Sequence, residues 1–170
     1  SFINTNMMLH VLIGNILKTY RRPQAVVAEF MVNGAREGRA LGFLAGGCII
    51  AFIAQWPRLA RQSYIEGQAL DMLMGGALYA WIFLAPLIFY ILAGLVQFVS
   101  YLLGSKRSGP QTRTVIFWAF LATAPLLLVV GVIGGFIGSS GVKTVVEVFW
   151  IASFIWFVIA GLRVTGPQSE

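Results

Sequence analysis

The spacing of the charged residues constrains this chain more than anything else in it. Asp, Glu, Lys and Arg are missing from residues 40–57, 72–105, 114–142 and 148–162. A helix needs about 20 apolar residues to cross the hydrocarbon core of a bilayer. Lipid offers no partners for open backbone, so spans of this kind are helical. The spacing therefore predicts an all-α membrane protein with four transmembrane helices.

Composition agrees. Charged residues make up 11% of the chain and hydrophobic ones 58%, with a mean hydropathy of +0.83. A soluble domain carries about 25% charged residues. The net charge of +6 comes from basic residues dispersed at helix ends. That is the pattern of membrane topology, whereas nucleic-acid binding concentrates them on a soluble face. The single cysteine, Cys48, lies inside the first apolar run and reads as a small packing residue. No small-residue cleavage site follows the apolar stretch at residues 7–17, and no lipidation motif is visible.

Residues 1–39 read as a cytoplasmic or interfacial segment of two short helices. Leu9, Leu12, Ile13, Ile16, Leu17 and Tyr20 recur at helical spacing, while His10, Gly14 and Lys18 fall on another face. Asn4, Thr5 or Asn6 is expected to cap this amphipathic helix, and Arg21-Arg22 suits it to the membrane surface. Pro23 pushes Arg22 out of helical geometry and starts the second helix, whose apolar stripe is Val26, Val27, Phe30 and Met31. The four-helix transmembrane domain then occupies residues 40–163, with a polar tail at 164–170. Its first span is expected at 40–56, ended by Trp56-Pro57-Arg58, and a polar connection follows at 57–71. The second lies within 72–103, is too long for the bilayer, and is expected to kink at Pro86. The third covers 114–137 with Pro125 at mid-depth, and the fourth 142–162.

Basic residues orient the spans. The N-terminal segment, the 104–113 loop and the tail hold Lys18, Arg21, Arg22, Arg36, Arg39, Lys106, Arg107, Arg113 and Arg163. The other loops hold Arg58, Arg61 and Lys143. Nine against three, which together are the 12 Lys and Arg of the chain, place both termini in the cytoplasm. Trp56, Tyr79, Trp81 and Trp150 are then expected toward the outer face, and Tyr101 and Trp118 toward the inner one. Trp56, Pro57, Arg58 and Trp118 are read as interface anchors.

The most informative pattern is in the glycines. Gly34, Gly38, Gly42 and Gly46 recur every fourth position where the first span begins, and Gly131–Gly135 and Gly134–Gly138 repeat the spacing in the third. A glycine inside a helix costs about 1 kcal/mol relative to alanine, and small residues four apart allow close backbone packing in membranes. The partner helix belongs either to this chain or to another. The background is high, at 19 glycines in the chain.

Nothing reads as a catalytic, cofactor or metal site. His10 is the only histidine, and no nucleophile–His–acid set or His/Cys cluster can be assembled around it. The glycine ladder lacks the strand and lysine of a phosphate loop. Intramembrane polar groups, which mark transport paths, are few: Gln97 and Ser100 near the inner end of the second span, Thr123 before Pro125, and Glu147 four residues after Lys143. Glu147 and Lys143 read as a surface pair. Pro86 and Pro125 follow similar segments, Trp81-Ile-Phe-Leu-Ala and Trp118-Ala-Phe-Leu-Ala-Thr-Ala. Paired broken helices of this sort can mark a transporter site.

Residues 38–61, above all Ala54-Gln55-Trp56-Pro57-Arg58-Leu59-Ala60-Arg61, resemble alphaproteobacterial members of the Yip-type (Ypt/Rab-interacting protein) membrane domain family. The Arg21-Arg22-Pro23 segment and the helices around Pro86 and Pro125 also fit. The resemblance covers about residues 16–163. It implies a polytopic protein without catalysis that works through other proteins or through membrane organisation. Eukaryotic members typically have five spans and contact small GTPases through cytosolic residues. Four spans and little cytosolic sequence here mean that this role does not carry over, and no site residue transfers.

The expected function is that of a non-enzymatic scaffold or accessory subunit in a bacterial inner membrane. It would pack against other integral membrane proteins, a larger energy-transducing complex being one such setting, and against lipids. The alternative is a small transporter or lipid-handling protein built on the second and third spans.

Overall fold

The computed structural model describes residues 2–165, with side chains from residue 6 onward; most of the expected polar tail lies outside the described residues. Among them the chain is all-helical: α1 Phe2–Arg21, α2 Pro23–Val32, α3 Glu37–Glu66, α4 Leu70–Leu102, α5 Gly109–Phe136 and α6 Gly141–Val164. The last four are long and apolar enough to cross a membrane, with mean hydropathies of 1.6, 2.3, 2.5 and 2.2 over their most apolar windows. The protein is a multi-pass membrane protein.

Helix α5 is the centre of the bundle. Its side chains from Gln111 to Ala124 are buried all round, Arg113 excepted, which is why it shows no polar face. Helix α3 covers one side, α6 another and α4 a third. The α1–α2 hairpin closes the end of the bundle that carries Arg39, Arg107 and Arg163, called here the basic end. The hairpin is therefore not a separate surface segment. Val26, Val27, Phe30 and Met31 of α2 enter the same core as Phe43, Phe117, Trp118 and Phe157, and Phe30 meets the rings of Phe43 and Trp118 at 5.2 and 4.8 Å. Pro23 opens α2 as expected. Helix α1 already runs from Phe2, so positions 4–6, expected at its start, lie inside it.

Two span boundaries differ from the sequence expectation. Helix α3 does not stop at Trp56; it passes through Pro57 and continues to Glu66. Proline removes one backbone hydrogen bond and crowds the carbonyl four residues back. Gly135 of α5 lies directly against Pro57, so interhelical packing holds the helix together where its own ladder is weakened. Helix α5 begins at Gly109, five residues earlier than expected, because Ser108 and Gln111 form a capping box around Pro110.

Helix α4 is continuous from Leu70 to Leu102, with a π-helical turn at Ala80–Leu84 immediately before Pro86. Pro86 has no N–H, and the wider turn absorbs the misfit. The distortion expected at Pro86 thus takes the form of a π-bulge one turn ahead of it.

Candidate functional site

The glycines show where helices touch. A Cβ on Gly131 would overlap the backbone carbonyl of Ala54, and one on Gly135 would overlap Pro57. These two glycines let α5 and α3 meet backbone to backbone, so this pair of candidates has its partner within the chain. A Cβ on Gly46 would come to 3.3 Å from the Leu121 side chain and one on Gly134 to 3.4 Å from the Lys143 side chain, both gentler approaches. Gly34 (φ +78°) and Gly138 (φ +79°) serve turns, where a side chain would be strained. Gly38 and Gly42 face nothing within 4 Å. Of the ladder where α3 begins, only Gly46 therefore lies against another helix of the folded chain.

Two further glycines are closely placed, against side chains and not backbone. A Cβ on Gly47 would come within 2.5 Å of the Phe120 ring, and one on Gly161 within 2.6 Å of Val115. Neither belongs to a four-residue repeat linking it to another packed glycine. Only the large partner residues across each contact could have pointed to them.

Trp118 is not an interface anchor. It is 1% exposed, and its indole N–H donates to the Thr19 hydroxyl at 3.1 Å. Its position in α5, enclosed by Phe30 and Phe43, makes it the hub of the basic-end core. Trp56 is half-exposed and stacks edge-on against Phe52 at 5.8 Å. Arg58 turns back to Gln55, donating from Nε and Nη2 to Oε1 at 3.0 and 2.8 Å.

The intramembrane polar groups are mostly consumed in structure. Gln97 of α4 donates to the Arg107 carbonyl at 2.7 Å and accepts from the Thr112 hydroxyl. Arg107 donates from Nε to the Thr165 carbonyl at 2.8 Å and from Nη1 toward Ser100 Oγ at 3.5 Å. This network ties α4 to the following loop, to α5 and to the end of α6. Thr123 donates to the carbonyls of Ala119 and Phe120 within its own helix. Lys143 and Glu147 pair at 2.9 Å at the opposite end of the bundle. With Gln55 and Arg58 they line a cleft of about 300 Å³ between α3, α5 and α6. The pair is partly exposed, so it contributes little to stability.

The two prolines do not face a common chamber. Pro86 borders an apolar groove of about 480 Å³ between α3 and α4, with Cys48, Phe52 and Trp81 on its walls. Pro125 lies in α5, two residues beyond Thr123 and three beyond Ala122, which the Tyr20 hydroxyl contacts as described below.

What remains is the outward side of α4, whose inner side packs on the core through Trp81, Phe89, Leu92 and Val96. Only 6% of the most apolar window of α4 is buried, against 39%, 56% and 22% for α3, α5 and α6. Tyr79, Phe83, Ile91, Phe98 and Tyr101 all project outward. Gly75, Gly76 and Gly94 lie on the same helix, and a side chain at any of them would meet nothing within 4 Å. Among the described residues no group of His, Cys, Asp and Glu side chains is placed to hold a metal ion. Comparison with protein-family models, curated proteins and solved structures returns no match.

Proposed function

We propose that this protein is a non-enzymatic accessory subunit that uses α4 to pack against another integral membrane protein. The observation that carries the reading is the broad outward face of α4: its inner side meets the core through Phe89 and Ala93, while Tyr79, Phe83, Ile91, Phe98 and Tyr101 are exposed. Three glycines there cost about 1 kcal/mol each relative to alanine and serve no contact within the chain. Small residues on a membrane helix are useful where a second backbone comes close, and outward aromatic side chains supply anchors of the kind that dominate interfaces. The polar clamp at Gln97, Thr112 and Arg107 fixes one end of α4 to the bundle, which presents the rest as a firm surface. The resemblance to the Yip-type family fits a protein that works through partners. A bacterial inner membrane with both termini cytoplasmic is the setting the basic residues favour.

Extraction in a mild detergent followed by native mass measurement tests this. The reading expects an assembly heavier than the 18.6 kDa chain. A chain that always runs alone with its detergent contradicts it.

The apolar groove beside Pro86 favours a second reading, lipid handling, because its volume and apolar lining suit an acyl chain. Substituting Pro86→Ala and measuring lipid exchange between proteoliposomes separates the two. A loss of exchange supports lipid handling, and equal background exchange for wild type and variant removes it.

A further inference from the structure

The elbow between α1 and α2 gathers positive charge without neutralising it. Lys18, Arg21 and Arg22 converge with Glu29 around a concave pocket of about 490 Å³. Among the described residues the ion pairs are Arg113–Glu37 and Lys143–Glu147, so none of the three elbow cations is paired. Lys18 and Arg21 occupy the last turn of α1, where a cation favours the helix dipole. That accounts for their presence there but not for the addition of Arg22 or for the concave shape.

The elbow is also fixed in depth. Thr19 accepts from the Trp118 indole, and Tyr20 donates to the Ala122 carbonyl at 2.9 Å. Ala122 is nine residues beyond Arg113, about 13 Å along α5 at 1.5 Å per residue. Arg113 pairs with Glu37 at the basic end. The elbow cations are thus held firmly against the basic-end half of the bundle. Basic residues beside the end of apolar spans attract anionic headgroups. Beside them α1 exposes Leu9, Ile13 and Leu17, an apolar stripe at four-residue spacing that runs up to Arg21.

We infer that the α1–α2 elbow is a binding site for an anionic phospholipid, with the phosphate between Lys18, Arg21 and Arg22 and an acyl chain along Leu9, Ile13 and Leu17. The charge balance of three cations to one carboxylate selects a headgroup that lacks a compensating ammonium. A phosphodiester oxygen accepts from several guanidinium and ammonium donors at once. The long side chains bring those donors to the headgroup while their stems stay in apolar surroundings.

The test uses the full chain in nanodiscs of phosphatidylcholine doped with phosphatidylglycerol, with bound lipid read by native mass spectrometry. Wild type should retain phosphatidylglycerol in preference to phosphatidylcholine. The triple variant Lys18→Gln, Arg21→Gln, Arg22→Gln should lose affinity on the order of 100-fold, about fivefold per cation. A matched variant, Arg36→Gln, Lys106→Gln, Arg163→Gln, removes as much charge from the same end and should keep the lipid. Equal loss in both variants would mean that only net charge matters, and would overturn the site. Should the triple variant fail to fold, Glu29→Gln provides the opposite arm: removing the one carboxylate should tighten binding about fivefold, and no change would count against the site. Millimolar inorganic phosphate should not displace the lipid. Displacement would assign the pocket to a free anion instead.

Discussion

The hydroxyl of Tyr20 donates a hydrogen bond to the carbonyl oxygen of Ala122 at 2.9 Å, joining residues 102 positions apart. Ala122 lies three residues before Pro125, where the missing N–H and the ring of the proline disturb the carbonyls of the preceding turn. Tyr20 supplies a donor to that turn, and its ring packs edge-on against Phe157 at 5.1 Å. One side chain therefore connects the N-terminal hairpin to both α5 and α6.

Tyr20→Phe keeps the ring and removes the donor. The expected cost is about 1 kcal/mol, read as a lower unfolding midpoint in detergent. Burial also raises the Tyr20 phenol above its ordinary value of 10.0. A raised pKa means that folding favours the protonated form. The corresponding stability is complete below pH 10 and is lost as pH rises further. Tyr20→Phe should remove that part of the alkaline loss while leaving the profile flat around neutrality.

The glycines divide into two classes with opposite responses. Gly131→Ala and Gly135→Ala push a methyl group into the α3 backbone, and each should destabilise by about 1–3 kcal/mol or more. Gly42→Ala meets open space and should gain up to about 1 kcal/mol of helix stability. Unfolding titrations of the three variants check the sign. A stabilised Gly131→Ala would mean that the α3–α5 approach is looser than described.

Trp118→Ala should cost about 3–5 kcal/mol, since it empties the middle of the basic-end core. Thr19→Val leaves the indole N–H without its partner and should cost about 1–3 kcal/mol. Because the two residues share one bond, the double variant should cost less than the sum of the singles. Additive losses would show that the Thr19 contact contributes nothing.

A reporter fused after the C-terminus should be active only in the cytoplasm, following the excess of basic residues at that end of the bundle. Activity on the other side would reverse the orientation and with it the side from which lipids reach the elbow.

The sequence made the spans legible because charge is so costly in hydrocarbon that its spacing alone marks them. It did not reveal their ends. Pro57 reads as a stop, yet the contact with Gly135 carries α3 through it, a long-range effect with no local signature. Spacing of four could not separate Gly131 and Gly135, which meet another helix, from Gly38 and Gly42, which meet none. Trp118 reads as a belt residue because tryptophan is common at interfaces. Its burial follows from the α1–α2 hairpin folding over α5, and Val26, Val27, Phe30 and Met31 pointed to an apolar face without showing what it covers. Gln97 and Ser100 looked like intramembrane polar marks, and the structure uses them to clamp a loop. The exposed state of α4 had no sequence signal, since a lipid-facing and a buried apolar helix share the same composition.

The central claim is that α4 is a docking surface for another membrane protein. Photo-crosslinking in native membranes tests it most directly, with the reactive group placed at Phe83, Ile91 or Phe98 of α4 and, for comparison, at Val145, Val148 or Ile155 of α6. All of these positions are exposed. Docking through α4 predicts discrete adducts to one integral membrane protein from the α4 positions and lipid adducts alone from α6. Lipid adducts alone from both helices would contradict it.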